Sequence, residues 1–325
     1  MENIRLQDIA EALNLSIATV SNVLRGKDNK VSPATKARVM ATVEEMGYLP
    51  ERAEVLMARN PSHLIGLVIN DHTQYEGSPI EDPYIARFIS CLQKSAQAHQ
   101  LDLLVRPVTT WQQAQEFASI WNMKGLVITG FCEADYISLR KALHIPLAVC
   151  DSLNPPMGFS SVVSEDHKGG YLIGKHLKNL GHEKIVCLTT NMVSTDFERI
   201  KGMKEAGLNV RLLMLNEKRE KRKRQMMDYD FSKVSAAACL SDQYALELLS
   251  VLYQRKIRVP QDLSVCGYDG IPASAYTSPP LTTLVQDIEK KADLAVSSLF
   301  EKPDLYSTDV KLIVRNSTGV PHEKR

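Results

Sequence analysis

Residues 6–24 read LQDIAEALNLSIATVSNVL. Leu6, Ile9, Ala10 and Leu13 fall at i, i+3, i+4 and i+7, the spacing of one apolar helical face. Asn14 and Leu15 interrupt that run. Ser16 is placed to cap a second helix by accepting from the unpaired amides of its first turn. In this second helix Val20, Val23 and Leu24 share an inward face, which leaves Ile17, Ala18, Thr19, Ser21 and Asn22 outside. Two short helices around a tight turn can be an ordinary helical hairpin. They can also be a helix-turn-helix, which sets the first residues of its second helix against base edges in the DNA major groove.

The next forty residues favour the second reading. After RGKDNK comes Val31-Ser32-Pro33-Ala34-Thr35-Lys36, in which Ser32 suits an N-cap and Pro33 the first helical position, where its missing amide costs nothing. Val39, Val43 and Met46 continue an apolar face, and Gly47 ends the helix. Three helices in so short a span make a very small core. Tyr48-Leu49-Pro50, the segment ERAEVLMAR and Asn60-Pro61-Ser62 follow as a linker between two breaks.

From Leu64 the pattern turns from all-helical to alternating. LIGLVI (64–69), LDLLV (101–105), GLVIT (125–129), PLAVC (146–150), KIVCL (184–188), AAACL (236–240) and LSVCGY (263–268) read as buried strands. Amphipathic stretches at 86–97, 136–143, 170–180 and 244–254 read as helices between them. Continuous apolar strands separated by helices predict parallel sheets covered on both faces. Ligands in such sheets bind near the carboxyl ends of the strands, so two facing lobes would enclose a cleft.

Composition narrows the function. The chain has 325 residues, 44% hydrophobic and 24% charged, as in ordinary globular proteins of two or three domains. No segment approaches the length of a membrane span, and MENIRLQ lacks the basic flank and apolar core of a signal peptide, so a cytoplasmic protein is expected. Cys91, Cys132, Cys150, Cys187, Cys239 and Cys266 form no CxxC pair, and the eight histidines show no ligand spacing, so reduced thiols and no metal or other cofactor are expected. No GxGxxG, GxxxxGK[ST] or GxSxG motif follows a strand, which speaks against a dehydrogenase, nucleotide hydrolase or esterase. The net charge of +1 says little about DNA. Arg25, Lys27, Lys30, Lys36 and Arg38 nevertheless cluster near the helix pair, where phosphate contact and plain solvation are both open.

The order DIAEALNLSIATVSNVLRG, VSPATKARV, GYLP and LIGLVI resembles the LacI/GalR family of bacterial transcription regulators. The likeness continues through Asp82-Pro83-Tyr84, Asp166-His167-Lys168-Gly169-Gly170-Tyr171, Leu180-Gly181-His182, Arg199 with Gly202, Gly267-Tyr268-Asp269 and Pro279-Pro280-Leu281-Thr282-Thr283. It implies an α/β protein: a three-helix helix-turn-helix DNA-binding domain (1–49), a hinge (50–61), and a periplasmic-binding-protein-like domain for effector binding and dimerisation (62–319), with a tail at 320–325. The larger domain would comprise two doubly wound subdomains, an N-subdomain of about 62–160 and 287–319 and a C-subdomain of about 161–286. The implied function is a dimeric, non-enzymatic repressor on a pseudo-palindromic operator, controlled by a small-molecule effector, with sugar as the class expected. A purine or other metabolite stays open as effector, as does a cytoplasmic sugar-binding protein that does not regulate DNA.

By the same resemblance, DNA would be met by Arg5, Gln7, Ser16, Ile17, Ala18, Thr19, Ser21, Asn22, Arg25 and Lys30. Asn22 stands where most relatives carry Arg, and Asn suits adenine N6 and N7, so an altered half-site is expected. Leu56 and Met57 stand where relatives wedge an apolar side chain into the minor groove, although interdomain packing would also suit them. Glu51 and Glu54 add charges that phosphates repel, partly offset by Arg52 and Arg59. Asp151, Thr195, Arg199, Asp242, Asp269 and Gln286 are the expected effector contacts, each aspartate being equally able to cap the next helix. EKREKRKR (217–224) replaces an apolar helix of relatives and is expected to be a solvated helix or loop.

Overall fold

A computed structural model describes residues 6–24, 31–46, 63–71, 77–121, 123–131, 145–153, 158–192 and 195–321. The chain divides into two compact units, 1–62 and 63–325. The expected helix 136–143, Cys132 and the linker residues Leu56 and Met57 lie outside the described residues.

The first unit holds α1 (Leu6–Leu13), α2 (Ile17–Leu24) and α3 (Pro33–Glu45). Ile9, Ala10, Leu13, Val20, Val23 and Val39 form its core, with Leu6, Leu24, Val43 and Met46 packed at the margin. The turn between α1 and α2 depends on Asn14, which takes the left-handed conformation at φ 51° and lets the Leu15 amide donate to Ala10 O at 2.9 Å. Asn is among the few side chains that enter that region readily. The Ser16 hydroxyl accepts from the Thr19 amide at 3.1 Å, and Ser32 caps α3 in the same way through Thr35.

The second unit contains two six-stranded sheets. The first lobe is built from β1 (Leu64–Asn70), α4 (Pro83–Ala98), β2 (Asp102–Val108), α5 (Trp111–Ile120), β3 (Gly125–Thr129), β4 (Leu147–Cys150) and β5 (Ser160–Ser164). The second is built from α6 (Asp166–Asn179), β6 (Lys184–Thr189), α7 (Thr195–Glu205), β7 (Asn209–Met214), α8 (Arg219–Asp228), β8 (Ala236–Cys239), α9 (Asp242–Gln254), β9 (Ser264–Asp269) and β10 (Thr282–Gln286). The chain then returns to the first lobe through α10 (Ile288–Ser297) and β11 (Leu305–Thr308), and finishes in the second with β12 (Val310–Ile313). Strand orders are β11-β5-β4-β3-β1-β2 and β12-β10-β9-β8-β6-β7, parallel except for β12 against β10.

Each sheet is covered on both faces, which is why its strands read as apolar runs rather than alternating ones. In the first lobe Ile65, Leu67 and Ile69 meet α4 and α10 on one face, while Val68, Leu126 and Ile128 meet Phe117 and Phe159 on the other. In the second, Val186, Leu188 and Val265 pack on α9, and Ile185, Cys187 and Cys266 pack on α6 and α7. Cys150, Cys187, Cys239 and Cys266 are buried free thiols within these layers.

Two subdomain borders differ from the sequence expectation. Residues 161–164 belong to the first lobe, because Ser160–Ser164 pairs with β4 and β11. Residues 310–319 belong to the second: β12 pairs with β10, and Ser317 joins it through Val265 N to Ser317 O (2.8 Å) and Thr282 N to Ser317 Oγ (2.7 Å). Ser160-Ser161-Val162-Val163-Ser164 is too polar to read as a core strand, yet all five residues are buried, with the Ser160 hydroxyl donating to Ser298 O and that of Ser161 to Ser152 O. The chain therefore crosses between lobes at 165, 287 and 309.

Candidate nucleic-acid interface and ligand cleft

The outward surface of α2 is formed as its spacing predicts. Ile17 is 48% exposed, Ala18 and Asn22 are exposed, and Thr19 and Ser21 are half-buried. A β-branched apolar side chain left in water at a helix N-terminus contributes nothing to this small core, and its methyl groups suit a thymine methyl. Ser16 is committed to capping and also bonds Thr19 Oγ1 at 2.8 Å. On α1, Gln7 is exposed and donates to Glu11 at 3.0 Å. Arg38 reaches toward Leu13 O, the last carbonyl of α1, at 3.5 Å, so part of its role is local. Arg5, Arg25, Lys30, Leu56 and Met57 lie outside the described residues.

In the second unit the two lobes enclose a cleft of about 230 Å³. Five of the six expected contacts line it: Asp151 at the end of β4, Thr195 and Arg199 on α7, Asp269 at the end of β9 and Gln286 at the end of β10. All but the α7 pair sit at carboxyl ends of strands, where parallel α/β sheets place ligands.

Asp242 does not line the cleft. It is fully buried, its carboxylate packed against Gly267, where a Cβ would lie 2.0 Å from Oδ1. It accepts from Thr283 Oγ1 at 2.6 Å and from the Ile271 amide at 2.8 Å, tying α9 to β10 and to the turn after β9. Burial raises its pKa to about 7, against the lowering effect of those two bonds. Asp242 thus neither meets a ligand nor caps its helix, since Ser241 caps α9 by accepting from the Gln243 amide, and its carboxylate braces β10 and the turn after β9 instead.

Arg199 is held from several sides. Its Nε donates to Asp166 at 2.7 Å, and its NH1 to Asp196 at 3.2 Å and Leu240 O at 3.0 Å. Burial works against its charge, but Asp166, Tyr268 and Asp196 outweigh that and keep the guanidinium protonated. Most of the fork expected to meet a ligand is thus spent within the protein. Its position depends on α6 and α7 touching backbone to backbone: a Cβ on Gly170 would fall 1.8 Å from Arg199 O, and one on Gly202 would fall 2.1 Å from His167 O.

Asp269 adopts φ 107°, unusual for a non-glycine residue, which turns its carboxyl to accept from Gln286 Nε2 at 2.9 Å. Burial drives its pKa well up, with Arg199 opposing and Asp242 and Asp82 adding to the rise. The cleft therefore holds hydrogen-bonding groups of both kinds, few of them backed by free charge. Such a lining matches hydroxyls better than phosphates.

Other lining residues were not foreseen. Asp82 caps α4 by accepting from the Tyr84 and Ile85 amides at 2.9 and 3.1 Å, and Tyr84 faces the same space. Opposite stand Gln243 and Tyr244 at the start of α9. The basic run at 217–224 does form a helix, yet it is not merely solvated. Arg222 turns inward, 3% exposed, pairs with both Glu247 oxygens at 2.7 Å and lines the cleft. One buried arginine among exposed lysines carries no sequence signal, because its partner lies 25 residues away on α9.

Comparison with known proteins agrees with both halves. Residues 5–51 match the bacterial regulatory proteins of the lacI family, and residues 175–318 match the periplasmic binding protein-like domain. The ribose operon repressor of Haemophilus influenzae is 26% identical over 333 residues, covering 98% of this chain and 97% of its own. The HTH-type transcriptional repressor PurR of Aliivibrio salmonicida is 28% identical, covering 91% of each. The crystal structure of the lac repressor dimer bound to operator and the anti-inducer ONPF superimposes with a TM-score of 0.79 at 23% identity, over 98% of this chain and 100% of that one. The chain thus joins a helix-turn-helix domain of the lacI family of bacterial regulatory proteins to a two-lobed, periplasmic-binding-protein-like domain.

Proposed function

We propose that this protein is a transcriptional repressor of a metabolic operon, acting as a homodimer on a pseudo-palindromic operator in the cytoplasm, with its affinity for DNA set by a sugar bound between the lobes. The observation that carries this reading is the lining of the cleft. Asp151, Thr195, Arg199, Asp269 and Gln286 meet there from both lobes, in a space of monosaccharide size, in a chain whose α2 presents Ile17, Ala18 and Asn22 outward. The named roles of the ribose operon and PurR repressors support it. Ile17, Ala18 and Asn22 would read base edges, with Thr19, Ser21 and Gln7 at their flanks and Arg5, Arg25 and Lys30 on phosphates. Leu56 and Met57 would enter the minor groove.

Tyr84 and Tyr244, two rings lining the same cleft, favour a second reading in which a planar base is the effector. Thermal-shift screening of the full chain against pentoses, hexoses and nucleobases separates the two, because a ligand that binds only the folded state raises the midpoint. A rise with a sugar supports the first reading and a rise with bases alone the second. Selection of binding sites from random DNA tests the operator half, and enrichment of no sequence would overturn it.

A further inference from the structure

Beneath the cleft floor lies a lysine that neither the sequence pattern nor the family likeness singles out. Lys291 is on α10, one helical turn after the crossover at 287, and its side chain is 0% exposed. Its neighbours on the same helix, Ile288, Ala292, Ala295 and Val296, belong to the apolar core of the first lobe. The three hydrogens of the ammonium are shared among four acceptors, Asp151 Oδ1 at 2.5 Å, Tyr84 Oη at 3.1 Å, Ser164 Oγ at 3.2 Å and Gln286 Oε1 at 3.3 Å. Three of those four partners line the cleft, and they come from separate elements: the end of β4, the start of α4 and the end of β10.

We propose that Lys291 is the positioning residue of the ligand cleft, its buried ammonium setting both the places and the hydrogen-bond polarity of Tyr84, Asp151 and Gln286. This rests on reading the cleft as the effector site.

The polarity follows from donor counting. An ammonium has hydrogens to give and no lone pair to accept with. Tyr84 Oη is therefore an acceptor toward Lys291, which frees its own hydrogen for a ligand. Gln286 Oε1 accepts from Lys291 and, at 2.7 Å, from Ser164 Oγ, both in the first lobe, so its amide nitrogen must face away and meets Asp269 on the neighbouring strand β9. Asp151 gives one oxygen to Lys291 and stays 27% exposed beside the cleft. One donor and one acceptor side by side suit a ligand hydroxyl, which both accepts and donates.

Stability alone does not call for a charge at this place. Removing one partner of a buried ion pair is costly when the other is left buried without water, but Asp151 is 27% exposed beside the cleft and can be solvated when Lys291 is removed. Lys291→Met in the full chain separates positioning from stability. The unfolding midpoint should fall only modestly, because Asp151 can turn to water, whereas affinity for D-ribose, measured by titration calorimetry, should fall at least tenfold. Crystals of the unliganded variant and parent in one form should show Tyr84 and Gln286 rotated away from their present places. If the three side chains keep their positions in the variant, or D-ribose binds both proteins within twofold, the proposal is wrong. Failure of the parent to bind any sugar would overturn the sugar reading of the cleft instead, and the unliganded crystals would still decide the role of Lys291. If Lys291→Met does not fold, Lys291→Gln, which keeps a donor without the charge, is judged by the same criteria.

Discussion

The guanidinium carbon of Arg199 lies 3.8 Å from the centre of the Tyr268 ring, and both residues bond the same oxygen of Asp166. A helix, a strand and a second helix of the second lobe are thereby joined through one buried cluster at the edge of the ligand cleft. Asp166 Oδ1 accepts from Arg199 Nε at 2.7 Å and from the Tyr268 hydroxyl at 3.0 Å. The stacking adds a cation–π attraction, strengthened by burial of all but the cleft-facing edge of Arg199.

Removing the cation from this cluster strands two buried carboxylates, Asp166 and Asp196. Arg199→Ala should therefore lower unfolding stability by about 3–5 kcal/mol, the usual cost of breaking a buried ion pair from one side. Arg199→Lys restores the charge without the planar fork and should recover only part of the loss. Denaturant unfolding of the three proteins checks this, and a cost for Arg199→Ala below about 1 kcal/mol would contradict the burial argument.

The contact between α6 and α7 has no room for a methyl group at Gly170. With Arg199 O only 1.8 Å from an added Cβ, Gly170→Ala must push the helices apart and carry Arg199 with them. A loss of about 3 kcal/mol is expected, at the upper end of ordinary overpacking, because the clash is with backbone rather than a flexible side chain. Ligand affinity should fall with it. Gly207→Ala, a solvent-side control with only Lys178 Cε nearby, carries strain from its φ of 88° but should leave ligand affinity unchanged.

Asp242 makes stability depend on pH. Its carboxyl titrates near 3.8 when unfolded and at about 7 in the fold, with burial as the main cause. Between those values the native state holds a proton that the unfolded state has released. Stability therefore falls as pH rises through the interval and levels off above about 7. Asp242→Asn keeps an acceptor for the Ile271 amide and can donate to Thr283 Oγ1, so it should remove this dependence. Measured from pH 5 to 8, the stability of the wild type relative to the variant should decline by a few kcal/mol; a flat difference would show that Asp242 is not strained by burial.

Asn22 stands free on the outer face of α2, so its replacement should spare the fold and change only what is read. On the half-site recovered by selection, Asn22→Ala should cost about 1–3 kcal/mol in specific binding, with non-specific binding and its salt slope retained. The selected half-site should itself differ from the family operator at the base pair Asn22 faces. Equal loss on all sequences would instead mark Asn22 as a phosphate contact.

The small core of the first unit was readable from residues 6–46 because everything in it is local. Helical spacing, the serine caps and the Asn14 turn act within four or five residues of one another. The central strands were readable for a similar reason, since burial on both faces leaves an unbroken apolar run. Strands at the sheet margins were not: Asn209–Met214 alternates irregularly in exposure, and Ser160–Ser164 is mostly hydroxyl-bearing. Their pairing is settled by neighbours more than a hundred residues away in the case of β5 and β11.

The cleft divides along the same line. The sequence by itself determined which chemistry would stand at the strand ends, so that Asp151, Asp269 and Gln286 reach the cleft from positions that their strands dictate. Only the tertiary structure decided which carboxylates turn toward a ligand and which into the protein. Asp242 is drawn inward because Thr283 and Ile271 offer it donors and Gly267 leaves it space. Arg222 and Lys291 became part of the site because Glu247 and Asp151 wait for them across the packing layers, 25 and 140 residues away. A buried charge is stable only beside a partner, and that partner is chosen by the fold in three dimensions rather than by position along the chain.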